Sequence, residues 1–225
     1  MNDVLQAVRG RLVVSCQAYP GEAMNSPDVM RAVALAVVGG GAAGVRVQGI
    51  EDVTAIRAAV DVPVIGLWKD GNDEVFITPT LEHALAVAEA GADVVALDGT
   101  QRPRPDGRGL AEVVAAVQDR TGKLVMADCS TFEEGVAAAA AGADLIGTTL
   151  SGYTSYTSTV DGPDLELVAR LAAAIDKPVV AEGRIRTPDQ AAAAIAAGAW
   201  SVVVGTAITH PGAITGWFTE RLGRL

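Results

Sequence analysis

The sequence predicts one parallel (β/α)8 barrel, a TIM-type barrel forming a single domain over residues 1–225, and three observations carry that expectation. Four times an alanine-rich stretch runs into a small-residue turn and a short apolar strand: GGGAAGVRVQG, EAGADVVALDG, AAGADLIGTTL and AAGAWSVVVG. The aligned glycines Gly41, Gly91, Gly142 and Gly198 recur at roughly fifty residues, which is room for two strand-helix units per period. The chain of 225 residues also suits one such barrel, whose usual size is ~250 residues.

The eight strands follow in order. LVVSCQ near Leu12 opens the series, and GVRVQ near Val45 follows the first glycine turn. VPVIGLWK near Val62 precedes DVVALD near Val94, which leaves the second turn. KLVMAD near Lys123, DLIGTT near Leu145, PVVAEG near Pro178 and SVVVG near Val202 complete the set. Each is a short apolar run bounded by turn residues, and the alanine-rich segments between them have helical length.

Composition narrows the classes of function. Apolar residues make up 50% of the chain but aromatics only 4%, so the core is built largely from alanine and valine suited to close helix-on-strand packing. The most membrane-like stretch, Ala191 to Ile208, is divided by Gly198 and Gly205, whereas a spanning helix needs ~20 apolar residues without interruption. LVV is too short for the apolar region of a signal peptide, and the expected location is the cytoplasm. Cys16 and Cys129 each follow an apolar strand and are expected as packed, reduced thiols. A net charge of −10 and a pI near 4.6 argue against nucleic acid or an anionic membrane surface as partner.

Strand alternation selects the side chains that look inward. Val13, Ser15 and Gln17 share a face of the first strand, and Ile65, Leu67 and Lys69 share one in the third. The matching series are Leu124, Met126, Asp128 and Pro178, Val180, Glu182. Active sites of such barrels lie where the strands end, so Gln17, Lys69, Asp128 and Glu182 are expected together at the mouth, with Lys69 facing Glu182. Three readings stay open: strand-end charges that simply meet solvent, a structural ion pair, or an acid/base pair in which burial lowers the lysine toward neutrality.

A second signal concerns phosphate. Strand seven ends in Glu182-Gly183-Arg184 and strand eight in Val204-Gly205-Thr206-Ala207, so glycines open both loops where barrels frequently hold a phosphate. Arg46, Lys69, Arg184 and Arg186 are the cations expected to offset the acidic field there. His210 follows the second loop, whereas His83 lies in a helical pattern and is expected to pack or face solvent. Two histidines with no Cys/His cluster give no basis for a zinc site. Asp98 and GTQRPRP after strand four, and SGYTSYTST after strand six, are candidate lids. Ile214, Trp217, Phe218 and Leu222 fall at helical spacing, for packing on the barrel or for a homodimer contact.

Taken together, VSCQAYPGE, GVRVQG, PVIGLWKD with VFITPT, ALDGTQRPRP, MADCST, GTTLSGYTSYT, VVAEGRI and VVVGTAIT resemble, in order, the strand-end motifs of bacterial N-acetylmannosamine-6-phosphate 2-epimerases, from about Leu12 to Phe218. The resemblance implies interconversion of N-acetylmannosamine 6-phosphate and N-acetylglucosamine 6-phosphate in sialic acid catabolism, with no cofactor and no metal. It implies Lys69 as acid/base, Glu182 as its carboxylate partner, and Gln17, Arg46 and Asp128 as substrate contacts. Gly183, Arg184, Gly205 and Thr206 fall in its phosphate loops. His210 stands where the family has arginine, in Ile208-Thr209-His210-Pro211, and Trp68 before the lysine is bulkier than usual. The alternatives are a Schiff-base phosphosugar aldolase and a phosphosugar-binding barrel without turnover.

Overall fold

The computed structural model describes residues 3–71 and 74–223. Its eight strands are β1 (Leu12–Cys16), β2 (Gly44–Gln48), β3 (Val64–Leu67), β4 (Val94–Asp98), β5 (Leu124–Asp128), β6 (Leu145–Gly147), β7 (Val179–Glu182) and β8 (Ser201–Val204). They close in chain order, and β8 pairs parallel to β1 with Leu12 opposite Val202. Each coincides with a strand expected from the sequence. The helices are α1 (Asp3–Val8), α2 (Pro27–Gly39), α3 (Ile50–Arg57), α4 (Leu81–Glu89), α5 (Leu110–Thr121), α6 (Phe132–Ala140), α7 (Leu165–Ala174), α8 (Pro188–Ala196), α9 (Thr206–Thr209) and α10 (Pro211–Leu222).

The repeat has a backbone cause. Gly41, Gly91, Gly142 and Gly198 all take left-handed φ values, 101°, 105°, 96° and 106°, in the turn that reverses each helix into the next strand. A side chain there would be strained, so the glycines recur with the turn. At the other ends of the helices, Ser26, Thr80, Thr131 and Thr187 cap α2, α4, α6 and α8 through side-chain oxygens. Thr131 does so in a reciprocal box with Glu134.

Alternation divides the apolar residues between two layers. Val13, Ile65, Leu67, Val94, Met126, Leu145, Val180 and Val203 fill the barrel interior, joined from below by Val8 of α1. The other face of each strand packs valine and alanine against the surrounding helices. Trp68 belongs to that outer layer, where its ring lies 4.4 Å from the imidazole of His83. Cys16 and Cys129 are free and buried, and burial pushes the Cys16 thiol up to about 12. Among the described residues no helix is long and apolar enough to cross a membrane.

The two candidate lids are more firmly held than mobile covers. Asp98 accepts hydrogen bonds from Thr100 and Arg102, and buried Arg104 donates to the carbonyls of Thr78, Pro79 and Asp98. The loop after β6 is tied down by Tyr156, whose hydroxyl lies 2.5 Å from Glu134 Oε1.

Candidate active site

Three charged side chains from β2, β5 and β7 meet inside the mouth of the barrel. Arg46 reaches across from β2 and donates both Nη atoms to the Asp128 carboxylate at 3.1 and 2.6 Å. Its Nη1 also lies 3.0 Å from Glu182 Oε2. Thr149, two residues beyond Gly147, donates to Asp128 Oδ1 at 2.6 Å and to Glu182 Oε2 at 3.1 Å. Gly147 leaves room for this junction, since a Cβ there would sit 2.5 Å from Met126 Cε and 3.0 Å from Asp128 Oδ1.

Burial sorts the three groups by role. Arg46 and Asp128 are 1% and 0% exposed, so they form the support beneath the site. Burial alone opposes the Arg46 charge, but Asp128 and Glu182 more than restore it, raising its pKa above the ordinary arginine value. Glu182 retains 14% side-chain exposure and lines the cavity above. Burial pushes its carboxyl from about 4.5 up to about 7; Arg46, Thr149 and Lys69 pull it down, and Asp128 adds to the rise. A carboxyl near 7 is suited both to give and to take a proton at neutral pH.

The cavity has a volume of about 690 Å³, within the usual range for a small-molecule site of ~300–1,000 Å³. Gln17, Lys69 and Glu182 line it, as alternation required, together with Gly183, Arg184, Gly205, Thr206 and His210. Lys69 and Glu182 thus share a cavity, but Lys69 forms no ion pair among the described residues. Its Nζ instead donates to the Tyr19 hydroxyl at 3.2 Å.

Two expectations about the cations change. Arg46 is not a cation facing the cavity: its charge is taken up by Asp128 below the floor and by Glu182 in the floor, which a strand pattern cannot reveal because the partners lie 82 and 136 residues away. The Arg184 guanidinium is turned to the β6 loop, donating to Ser151 O at 2.6 Å and Gly162 O at 2.9 Å. Its backbone carries the more useful feature. Gly183 and Arg184 both have positive φ, 117° and 54°, and their amides, like that of Thr206, donate to no acceptor among the described residues. Such successive amides make an anion-binding concavity. His210 lines the cavity with its Nε2 2.8 Å from the Gln17 carbonyl, so Nδ1 is the ring atom left for a further partner.

Tyr19 and Thr149 were missed by the sequence reading. Thr149 continues the inward series Leu145, Gly147, Thr149, and alternation carried two residues past β6 finds it. Tyr19 lies beyond β1 in a loop, where no periodicity applies.

Fold and site together define a (β/α)8 barrel whose cavity at the strand ends is lined by Lys69 and Glu182. Residues 30–224 match the family described as "NanE: Putative N-acetylmannosamine-6-phosphate epimerase". A Cutibacterium acnes protein named "Putative N-acetylmannosamine-6-phosphate 2-epimerase" is 54% identical, covering 97% of this chain and 96% of the relative. A Caldanaerobacter subterraneus protein of the same name is 48% identical over 95% and 91% of the two chains. The solved N-acetylmannosamine-6-phosphate 2-epimerase from Clostridium perfringens superposes with a TM-score of 0.94 at 41% identity, over 97% and 96%. A Pyrococcus furiosus thiamine phosphate pyrophosphorylase, TM-score 0.61 at 19% identity, shares the fold alone. The chain belongs to the N-acetylmannosamine-6-phosphate epimerase (NanE) family.

Proposed function

We propose that this protein is an isomerase that interconverts N-acetylmannosamine 6-phosphate and N-acetylglucosamine 6-phosphate by moving a proton at carbon 2, a step of sialic acid catabolism in the cytoplasm. Family membership supports the substrate class. The observation that carries the chemistry is Glu182, raised to about 7 and held in one cavity with Lys69, which forms no ion pair among the described residues.

In the open-chain sugar the carbon 2 hydrogen lies beside an aldehyde, so its removal gives an enolate. Lys69, once neutral, takes that proton, and protonation from the opposite face inverts the centre. Glu182 fits the second role because its protonated and ionised forms coexist near neutrality. Arg46 and Asp128 act on the reaction through Glu182, by fixing its orientation and ionisation. Gln17 supplies a buried Oε1 without a partner among the described residues, suited to accept from a sugar hydroxyl or the acetamido N–H. The amides of Gly183, Arg184 and Thr206, with Gly205 allowing close approach, grip the phosphate, and His210 adds charge through Nδ1 when protonated.

Self-association through α10 completes the proposal. No residue of that helix is buried, and Phe218 and Leu222 are 68% and 66% exposed. Conversion of N-acetylmannosamine 6-phosphate, followed by proton NMR, tests the activity. The unphosphorylated sugar should have much lower kcat/KM, because phosphate binding helps orient the reacting carbon. Equal kcat/KM for the two sugars would sink the phosphate assignment.

A further inference from the structure

Lys69 lies two residues beyond β3, in an isolated bridge to Ile77, on a flexible side chain and half-buried, so something must fix its amine for proton transfer to be directional. Among the described residues its one hydrogen bond goes to Tyr19, from Nζ to the phenol oxygen at 3.2 Å, with Nζ 4.7 Å from the ring centre. Tyr19 is itself held in the loop between β1 and α2. Its N–H donates to Glu22 Oε2 at 2.8 Å, and its carbonyl accepts the Glu22 N–H at 3.0 Å. Its ring stands edge-on to His210, with centroids 5.8 Å apart and planes at 77°. His210 is anchored in turn on the Gln17 carbonyl. The phenol therefore sits on a braced loop and reaches from the histidine to the lysine.

We propose that Tyr19 is a positioning residue whose hydroxyl docks the Lys69 amine away from Glu182, so that the two proton carriers enter the reaction as separate groups and not as an ion pair. This rests on the acid/base reading above. Lys69 and Glu182 line the same cavity and feel one another's charge, so a free lysine side chain has a carboxylate within its field. A direct pair would hold the carboxyl as the anion and the amine as the cation, removing both the base and the acid from the neutral-pH reaction. The other groups facing Glu182 are Arg46 from β2, Asp128 from β5 and Thr149 after β6, and these are fixed to one another. Arg184, Arg186 and His210 share the cavity wall, each engaged elsewhere: on loop carbonyls, near Trp217 and on Gln17 respectively. Lys69 is the cavity cation on a flexible stem with no ion pair among the described residues, and the Tyr19 hydroxyl is the group its amine is bound to.

The test is Tyr19→Phe, which keeps the ring and its contact with His210 and removes the oxygen. The titration of Glu182 is read by carbon-13 NMR in protein labelled at the glutamate carboxyls, with Glu182→Gln to assign the signal, and needs no turnover. The expected result is a Glu182 midpoint displaced to lower pH in Tyr19→Phe, as the freed lysine pairs with it. In kinetics, kcat should fall about tenfold with KM within about twofold, and the acid limb of kcat/KM should move to lower pH. An unmoved Glu182 midpoint would overturn the proposal, whatever happens to kcat, since a structural defect lowers activity without shifting that titration. If the unsubstituted protein shows no epimerisation, the activity reading fails by itself while the titration still decides the role of Tyr19.

Discussion

Replacing Glu182 with glutamine should change how stability depends on pH, by an amount set by the burial of the carboxyl. In the unfolded chain this group loses its proton near 4.5, and in the folded protein near 7. Between those values the native state binds the extra proton, so stability falls as pH rises; the contribution is complete below 4.5 and lost on passing 7. The rise from 4.5 to about 7, at 1.36 kcal/mol per pH unit, gives about 3 kcal/mol. The side chain is only 14% exposed, so solvent screening removes little of this. Glutamine keeps the shape and has no titration, while Asp98 and the other shifted groups are common to both proteins and cancel in the difference. The assay is urea unfolding of parent and Glu182→Gln from pH 5 to 8. The parent should lose midpoint relative to the variant by roughly 1 M urea across that range, taking m near 3 kcal/mol/M. Midpoints that track each other at every pH would refute the placement of a buried, proton-retaining carboxyl at this position.

Three further outcomes follow from the same geometry. Arg46→Met leaves Asp128 and Glu182 facing each other without their cation, and should cost about 3–5 kcal/mol in unfolding free energy while abolishing turnover; a stability loss under 1 kcal/mol by the same urea assay would show that the cation is dispensable. His210→Arg should flatten any rise in KM with pH, because an imidazole can lose its charge and a guanidinium does not; identical KM profiles would show that Nδ1 carries no charge to the phosphate. Sedimentation should find a dimer that Phe218→Glu converts to monomer, and a monomeric parent would remove the role given to α10.

Much of the fold was legible because its cause is local. The positive-φ glycines Gly41, Gly91, Gly142 and Gly198 mark every second helix-to-strand turn, and the period of two brings Gln17, Lys69 and Glu182 to the cavity, whereas Asp128, expected beside them as a substrate contact, is fully buried beneath Glu182. What could not be read depended on partners distant in the chain. Nothing around Arg46 in GVRVQG distinguishes a ligand-facing cation from one neutralised by Asp128 and Glu182, and the difference emerges only when β2, β5 and β7 are brought together. Helices α1 and α9, of six and four residues, are too short to print a helical period. Lys69 facing Glu182 was correct as to the cavity, but its amine is directed by Tyr19, a loop residue that alternation does not reach.

Proton exchange at carbon 2 is the central claim, and one measurement addresses it: N-acetylmannosamine 6-phosphate incubated in deuterated water with the protein, with Lys69→Met and with Glu182→Gln, followed by proton NMR. The unsubstituted protein should yield N-acetylglucosamine 6-phosphate carrying deuterium at carbon 2, because either proton carrier exposes the enolate to exchangeable hydrogen. Lys69→Met should remain folded and give no exchange, and Glu182→Gln should be severely impaired. Product that keeps its original carbon 2 hydrogen through many turnovers, or undiminished exchange in Lys69→Met, would contradict proton transfer at this pair.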